Sequence, residues 1–158
     1  MVLTLAVTCL GTASACTDVV ADSSACRSLT YVNGGVARAQ YLPCAAEMIA
    51  ALDDLERQTK AALDGDAQAR SDGQVSLRRV RALMSAAGGR QLLERWEDRA
   101  LTDLNVDISN AVTKYEAFYM IRVSDGQFAK ETRAAADAEY QGASRRYEEA
   151  RRLFRRLN

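Results

Sequence analysis

The sequence predicts an all-α protein, built as an up-and-down antiparallel helical bundle. Apolar and small residues recur in steps of three and four along four long stretches, and this spacing places them on one face of a helix. No alternating run of comparable length indicates a strand. The 158 residues include only one Pro, so the composition is compatible with helices of many turns. We expect an elongated bundle with a long C-terminal helical hairpin.

Four helices are predicted, and each follows one apolar seam. Their approximate bounds are residues 41–64, 72–87, 90–123 and 125–157. The last two, of about 33 residues each, would be about 50 Å long at the usual rise per residue. Because only a short turn separates them, they are predicted to run antiparallel.

Turn and capping residues mark the predicted helix ends. Pro43 suits the first turn of the first helix, and Asp64-Gly65 suits its end. The tetrapeptide Ser-Asp-Gly-Gln occurs at 71–74 and again at 124–127. Because Ser three residues before Gln is a capping-box pattern, both copies are predicted to start a helix.

The N-terminus has the pattern of a secretory signal peptide. Residues 2–10 form an uncharged, mostly apolar run, and small residues follow it up to Ala15. Such a run is too short to span a membrane, but it suits a signal peptide and its cleavage site. The alternative is a buried strand or a short hydrophobic helix. We predict a signal peptide at 1–15, a loop or linker at 16–35 and a single bundle domain at 36–158.

The segment Ala13-Ser14-Ala15-Cys16 resembles the lipobox of bacterial lipoproteins. The resemblance implies that Cys16 becomes the first residue of the mature chain and carries the lipid. It also implies a place in the cell envelope, at the outer membrane or its periplasmic face, with the membrane as one partner. Cleavage without lipid attachment would instead leave a periplasmic or secreted protein.

The four cysteines fit an exported chain. Cleavage would remove Cys9 and lipidation would occupy Cys16, which leaves Cys26 and Cys44 as one pair. Oxidising compartments favour disulfides, and this one would close a loop worth about 3 kcal/mol in the chain-entropy model. Two small buried thiols are the alternative.

The composition argues against most enzyme classes. There is no histidine, so the usual general base near neutral pH is absent, and so are Ser-His-Asp, Cys-His and histidine-containing zinc sites. Clustered carboxylates remain, but on amphipathic helices these are typical of solvated faces. The formal net charge is zero, which does not favour a nucleic-acid partner. We expect a non-catalytic protein with no cofactor and no metal.

The C-terminal helix ends in a basic stretch. Residues 144–158 hold six basic and two acidic side chains. A basic amphipathic helix can contact an anionic surface, and the candidate residues are Arg151, Arg152, Arg155 and Arg156. The alternative is a solvated outer face, on which Arg near the helix C-terminus interacts favourably with the helix dipole.

Aromatic residues surround the predicted turn of the C-terminal hairpin. Tyr115, Phe118 and Tyr119 precede the turn, and Phe128 follows it. Aromatic side chains often anchor protein interfaces, so these four are a candidate partner-binding tip. The alternative is internal packing, because Tyr115 and Phe118 continue the apolar seam of their helix.

Two functions follow from these features. The first is an exported, envelope-anchored, non-catalytic helical adaptor that acts by contact with an unidentified envelope protein. The second is a soluble periplasmic or secreted helical module that binds a small apolar ligand between its helices.

Overall fold

The computed structural model describes residues 24–30, 36–88, 98–123 and 130–158. The predicted signal peptide and Cys16 lie outside these residues. Within them the secondary structure is helical, with no strand, and the predicted all-α bundle is confirmed. The helices are α1 (Arg38–Leu63), α2 (Ala67–Ala86), α3 (Arg99–Val123) and α4 (Lys130–Leu157).

The helices form two hairpins, α1 with α2 and α3 with α4, which pack against each other. Ion pairs join Lys114 to Glu139 and Asp107 to Arg146, so residue numbers along α4 fall as those along α3 rise. The predicted C-terminal hairpin is therefore antiparallel. Elongation of the whole bundle stays a prediction.

The two ends of the bundle differ in which helix termini they contain. α1 and α4 are antiparallel, because Asp53 and Glu56 of α1 contact Tyr147 and Tyr140 of α4, respectively. The N-termini of α1 and α3 therefore lie at the same end of the bundle as the C-termini of α2 and α4. We call this the disulfide end, because Cys44 lies near the start of α1. The other end, at the α1–α2 connection, is the turn end.

Helix α1 begins three residues before the predicted bound. The carbonyl of Ala37 accepts hydrogen bonds from the amides of Gln40 and Tyr41, at 2.9 and 3.0 Å, which starts the helix at Arg38. Pro43 therefore lies in the second turn rather than the first. The helix ends at Leu63, beside the predicted turn.

Helix α2 begins earlier than predicted, and its cap is Asp66. The Asp66 carboxylate accepts hydrogen bonds from the amides of Gln68 and Ala69, at 2.9 and 3.1 Å. The first copy of the tetrapeptide, at 71–74, thus lies inside the helix, and its predicted role as a helix start is wrong. An acidic cap directly after the turn starts the helix before Ser71 is reached.

Helix α3 begins later than predicted, at Arg99. Asp98 is its cap and accepts hydrogen bonds from the amides of Ala100 and Leu101, at 3.1 and 3.3 Å. Helix α3 has 25 residues, so it is about 38 Å long rather than 50 Å. The described part of α4 has 28 residues and is about 42 Å long. The second copy of the tetrapeptide, at 124–127, lies outside the described residues.

All four helices contribute to one apolar core. The buried residues follow the apolar seams that the sequence predicts. Removal of their apolar surface from water stabilises the fold. Fully buried side chains include Met48, Leu52, Leu55, Val80, Leu101, Leu104 and Ile108.

The predicted disulfide is present. The sulfur atoms of Cys26 and Cys44 are 2.10 Å apart, and both residues are fully buried. The same segment is also held to α1 by polar contacts, because the Ser24 hydroxyl and the Ala25 amide donate to the Glu47 carboxylate, at 2.7 and 2.8 Å. Residues 24–26 are thus fixed to the disulfide end.

Helices α2 and α3 approach closely at a glycine. A Cβ atom on Gly73 would lie 1.8 Å from the Tyr119 hydroxyl oxygen and 2.8 Å from its ring. Tyr119 has little freedom to move, because its hydroxyl is 3.0 Å from the buried Thr59 hydroxyl of α1. Gly73 therefore allows three helices to meet at this level.

We predict that Gly73→Ala destabilises the fold by about 1–3 kcal/mol, because overpacking outweighs the gain in helix propensity. The matched control is Gly142→Ala, whose Cβ would meet only the flexible side chain of Lys114, at 2.9 Å. That change should be neutral or stabilising in a urea titration. Equal stabilities of the two variants would contradict the packing described.

Candidate functional site

The most buried charged group described is the Glu56 carboxylate of α1, and it lies where α1, α3 and α4 meet. Glu56 is 6% exposed. One carboxylate oxygen accepts a short hydrogen bond from the Tyr115 hydroxyl of α3. The other accepts hydrogen bonds from Tyr140 at 3.1 Å and from Ser144 at 2.9 Å, both on α4. Lys60 adds an ion pair at 3.0 Å. We call these five residues the Glu56 cluster.

The donors in the cluster favour the charged form of Glu56. Burial by itself raises the pKa of this carboxyl. The hydrogen bonds from Tyr115, Lys60 and Ser144, with the positive charge of Lys60, outweigh burial and hold the pKa of Glu56 below its ordinary value. The carboxylate is therefore ionised at neutral pH, with both oxygens occupied by protein donors.

The two tyrosines of the cluster are held in their protonated form. Burial and the neighbouring Glu56 carboxylate raise the pKa of Tyr115 and of Tyr140 well above the ordinary value for tyrosine. Protonated hydroxyls are donors, which is the role each has here. An ionised, buried and fully bonded carboxylate suits a link between helices better than a general base, which needs access to substrate.

Similar polar links occur along the rest of α1. The Tyr147 hydroxyl of α4 donates to Asp53, and the Tyr41 hydroxyl donates to Asn105 of α3 at 2.9 Å. Together with the Thr59–Tyr119 contact, each link joins a tyrosine to a polar side chain on another helix. These links select one alignment of α1 against the second hairpin.

The described residues of the predicted aromatic tip are buried. Tyr115, Phe118 and Tyr119 are 0%, 3% and 4% exposed, so the described members of this set belong to the core. Phe118 packs edge-on against Tyr119, with ring centroids 5.2 Å apart. Phe128, the fourth member, lies outside the described residues. Internal packing, the alternative reading, accounts for the other three.

The four predicted surface arginines do not form one surface. Arg151 turns toward α1, where it lies 3.8 Å from the Asp53 carboxylate and over the ring of Tyr147. Arg152, Arg155 and Arg156 are exposed and line a groove of about 880 Å³ between α3 and α4. A contact with an anionic surface could therefore involve three of the four.

The acidic residues of this α3–α4 groove are partly neutralised. Arg146 forms ion pairs with Asp107 at 3.2 Å and with Glu149 at 2.9 Å. Burial and the negative charge of Glu149 raise the pKa of Asp107, although Arg146 opposes them. Asp103 also lines the groove. The groove is acidic along α3, with Asp103 and Asp107, and basic toward the end of α4.

A second cavity, of about 350 Å³, lies at the turn end. Its wall combines two buried aromatic side chains with two exposed arginines, one on α2 and one on α4. The lining residues are Ala62, Leu63, Gly65, Arg70, Phe118, Tyr119 and Arg133.

Neither a metal site nor a membrane-spanning helix is present in the described residues. Those residues contain no group of three or more Cys, Asp or Glu side chains placed to hold a metal ion. None of their helices is long and apolar enough to cross a membrane.

Comparison of the chain with protein-family models, with curated proteins and with solved structures found no match in any of the three.

Sequence reasoning missed the Glu56 cluster and the cavity at the turn end. Glu56 lies directly after Leu55 in the α1 seam, at the edge of the buried face, but this position by itself does not distinguish it from a solvated acidic residue. Tyr140 and Ser144 are spaced four residues apart, which places both hydroxyls on one side of α4. The cavity arginines come from two helices and have no common sequence pattern.

We predict that Glu56→Gln lowers stability by about 1–3 kcal/mol at neutral pH, because buried donors lose their charged acceptor. In the unfolded chain the carboxyl has an ordinary pKa near 4.5, and folding lowers it. The contribution of the Glu56 carboxylate to the free energy of unfolding is thus fully present above about pH 4.5. It is lost as the pH falls through the pKa of Glu56 in the folded state. The stability gap between wild type and variant should therefore narrow in acid, as urea titrations at several pH values would show.

Glu148→Gln is the control for this titration, because Glu148 lies on the outer part of α4 with its side chain 47% exposed. It should change stability by less than about 0.5 kcal/mol at every pH. A gap for Glu56→Gln that widens in acid would contradict the assigned direction of the pKa change.

Proposed function

We propose that the protein is exported, is anchored in the cell envelope through a lipid on Cys16, and acts as a non-catalytic helical adaptor. The observation that carries the proposal is the buried Cys26–Cys44 disulfide, ten residues beyond the lipobox-like segment. Disulfides form and persist in oxidising compartments such as the bacterial periplasm. This bond supports export independently of the N-terminal pattern.

The polar chemistry of the bundle supports an adaptor role. The Glu56 carboxylate is buried and occupied by protein donors, so it serves the fold. The partner contact is assigned to the exposed surface, since Tyr115, Phe118 and Tyr119 are buried. One accessible region is the outer face of α2, where Val75 is 39% exposed. Other residues of α2 contact α3, at Gly73 and through the Arg81–Glu116 ion pair.

We predict that the processed protein, isolated from membranes, begins at Cys16 and carries acyl chains. Its intact mass should lie two hydrogen atoms below the value for the fully reduced chain, because Cys26 and Cys44 are bonded. Cys16→Ser should abolish acylation, whereas the double change Cys26→Ser and Cys44→Ser should retain it. An unacylated wild-type chain in the soluble fraction would refute the anchor.

A ligand-binding module is the second candidate function, and the cavity at the turn end favours it. Its volume lies at the lower end of the range for small-molecule sites. Phe118 and Tyr119 provide an apolar floor, and Arg70 and Arg133 provide positive charge at the rim. These groups suit a small apolar or aromatic molecule that carries an anionic group.

If the cavity at the turn end binds ligands, we predict that 8-anilinonaphthalene-1-sulfonate binds the folded protein and that the fluorescence of the dye increases. Changing Arg70 and Arg133 to Gln should weaken binding about tenfold, because charge-assisted contacts are lost. Arg78→Gln with Arg79→Gln, on the exposed side of α2, is the control and should leave binding unchanged. Absence of saturable binding, or equal weakening in the control, would refute the ligand site.

A further inference from the structure

We propose that the disulfide end of the bundle faces the membrane, where Arg152, Arg155 and Arg156 contact anionic phospholipid headgroups. This inference rests on the proposed lipid anchor and adds to it an orientation of the bundle and a class of lipid. It follows from where the chain enters the bundle, where α4 ends, and which arginines remain exposed there.

The anchor and the start of α1 are close along the chain. Ser24 lies eight residues after Cys16, a span of at most about 28 Å when fully extended. Ser24 and Cys26 are fixed to α1 by the hydrogen bond to Glu47 and by the disulfide to Cys44. A lipid on Cys16 would therefore hold the disulfide end, rather than the turn end, near the bilayer.

The C-terminal turns of α4 lie at this same end. Glu56 contacts Tyr140, and Asp53, one turn earlier in α1, contacts Tyr147, farther along α4. Continuing this antiparallel alignment brings the last turns of α4 beside the first turns of α1. The basic end of the protein and the predicted anchor thus share one side of the bundle.

Three arginines at this end are available to an anionic surface. Arg155 and Arg156 are exposed and have no ion pair among the described residues, and Arg152 donates only to the backbone carbonyl of Glu148, at 3.2 Å. The nearby Glu149 is already paired with Arg146. Arg151 is not included, because it is directed toward Asp53 of α1.

The neighbouring side chains suit a headgroup contact. Leu153 and Leu157 are partly buried against the core, so the apolar face of α4 is already covered by protein. The helix end therefore offers charge rather than a hydrophobic wedge. Each Arg close to an anionic membrane adds a favourable electrostatic contribution that decays within a Debye length. Contact at the headgroup level, without insertion, is the mode that these residues support.

The test uses the chain from residue 16 onward with Cys16→Ser, which contains every described helix and the disulfide. Circular dichroism verifies that each variant is folded. Binding to phosphatidylcholine vesicles, with and without phosphatidylglycerol, is measured by co-sedimentation at about 0.1 M salt, where the Debye length is about 10 Å. Because this chain cannot carry the lipid, its result is separate from the mass measurement that decides the anchor.

We predict stronger binding to the phosphatidylglycerol vesicles. Changing Arg152, Arg155 and Arg156 to Gln should reduce the partition coefficient of the protein onto these vesicles about a hundredfold. The matched control changes three exposed arginines elsewhere, Arg78, Arg79 and Arg145, and has the same net charge. It should reduce partitioning by less than about tenfold, because its charges lie farther from the disulfide end.

Three outcomes would overturn the proposal. The first is equal binding to vesicles with and without phosphatidylglycerol. The second is an equal loss in the two triple variants, which would indicate a response to net charge alone. The third is binding to a soluble polyanion such as heparin without binding to the vesicles, which would assign the arginines to a different partner.

Discussion

The buried carboxylate of Glu56 is the constraint on which the arrangement of the helices depends. Residues on two other helices, 59 and 84 positions away along the chain, donate hydrogen bonds to it. Apolar packing tolerates small shifts of one helix along another, whereas an ionised buried group is stable only where its donors meet it. The Tyr147–Asp53 and Tyr41–Asn105 links extend the same requirement along α1. The polar contacts thus select one register for a core that supplies most of the stability.

The register has consequences at both ends of the bundle. At the disulfide end, it places the last turns of α4 beside the segment that the disulfide fixes to α1. At the turn end, it brings Arg70 of α2 and Arg133 of α4 around the buried rings of Phe118 and Tyr119. The ligand cavity is therefore a product of helix alignment, since its two arginines come from separate helices. The arginines proposed to contact lipid all belong to the end of α4, and the alignment places them beside the disulfide end.

The helices and the disulfide could be predicted from the sequence, because apolar periodicity and cysteine pairing are local or countable properties. The predicted helix starts were less accurate, because the start of a helix depends on which polar side chain accepts hydrogen bonds from its free backbone amides. Asp66 precedes Ser71 and takes that role for α2, and Asp98 takes it for α3. Glu56 could not be distinguished from a solvated acidic residue, because its donors lie on helices whose alignment no local pattern encodes. The burial of Tyr119 likewise depends on Gly73, a residue of another helix.

A double-mutant cycle between Glu56 and Tyr115 tests most directly whether the buried carboxylate aligns the helices. Glu56→Gln, Tyr115→Phe and the double variant are compared by urea unfolding at neutral pH. If the buried carboxylate aligns the helices through this hydroxyl, the two changes are coupled, and the double variant is more stable than the sum of the single losses by about 1 kcal/mol or more. Additive losses, with a coupling energy near zero, would show that the two groups act independently and would contradict the central role assigned to the Glu56 cluster.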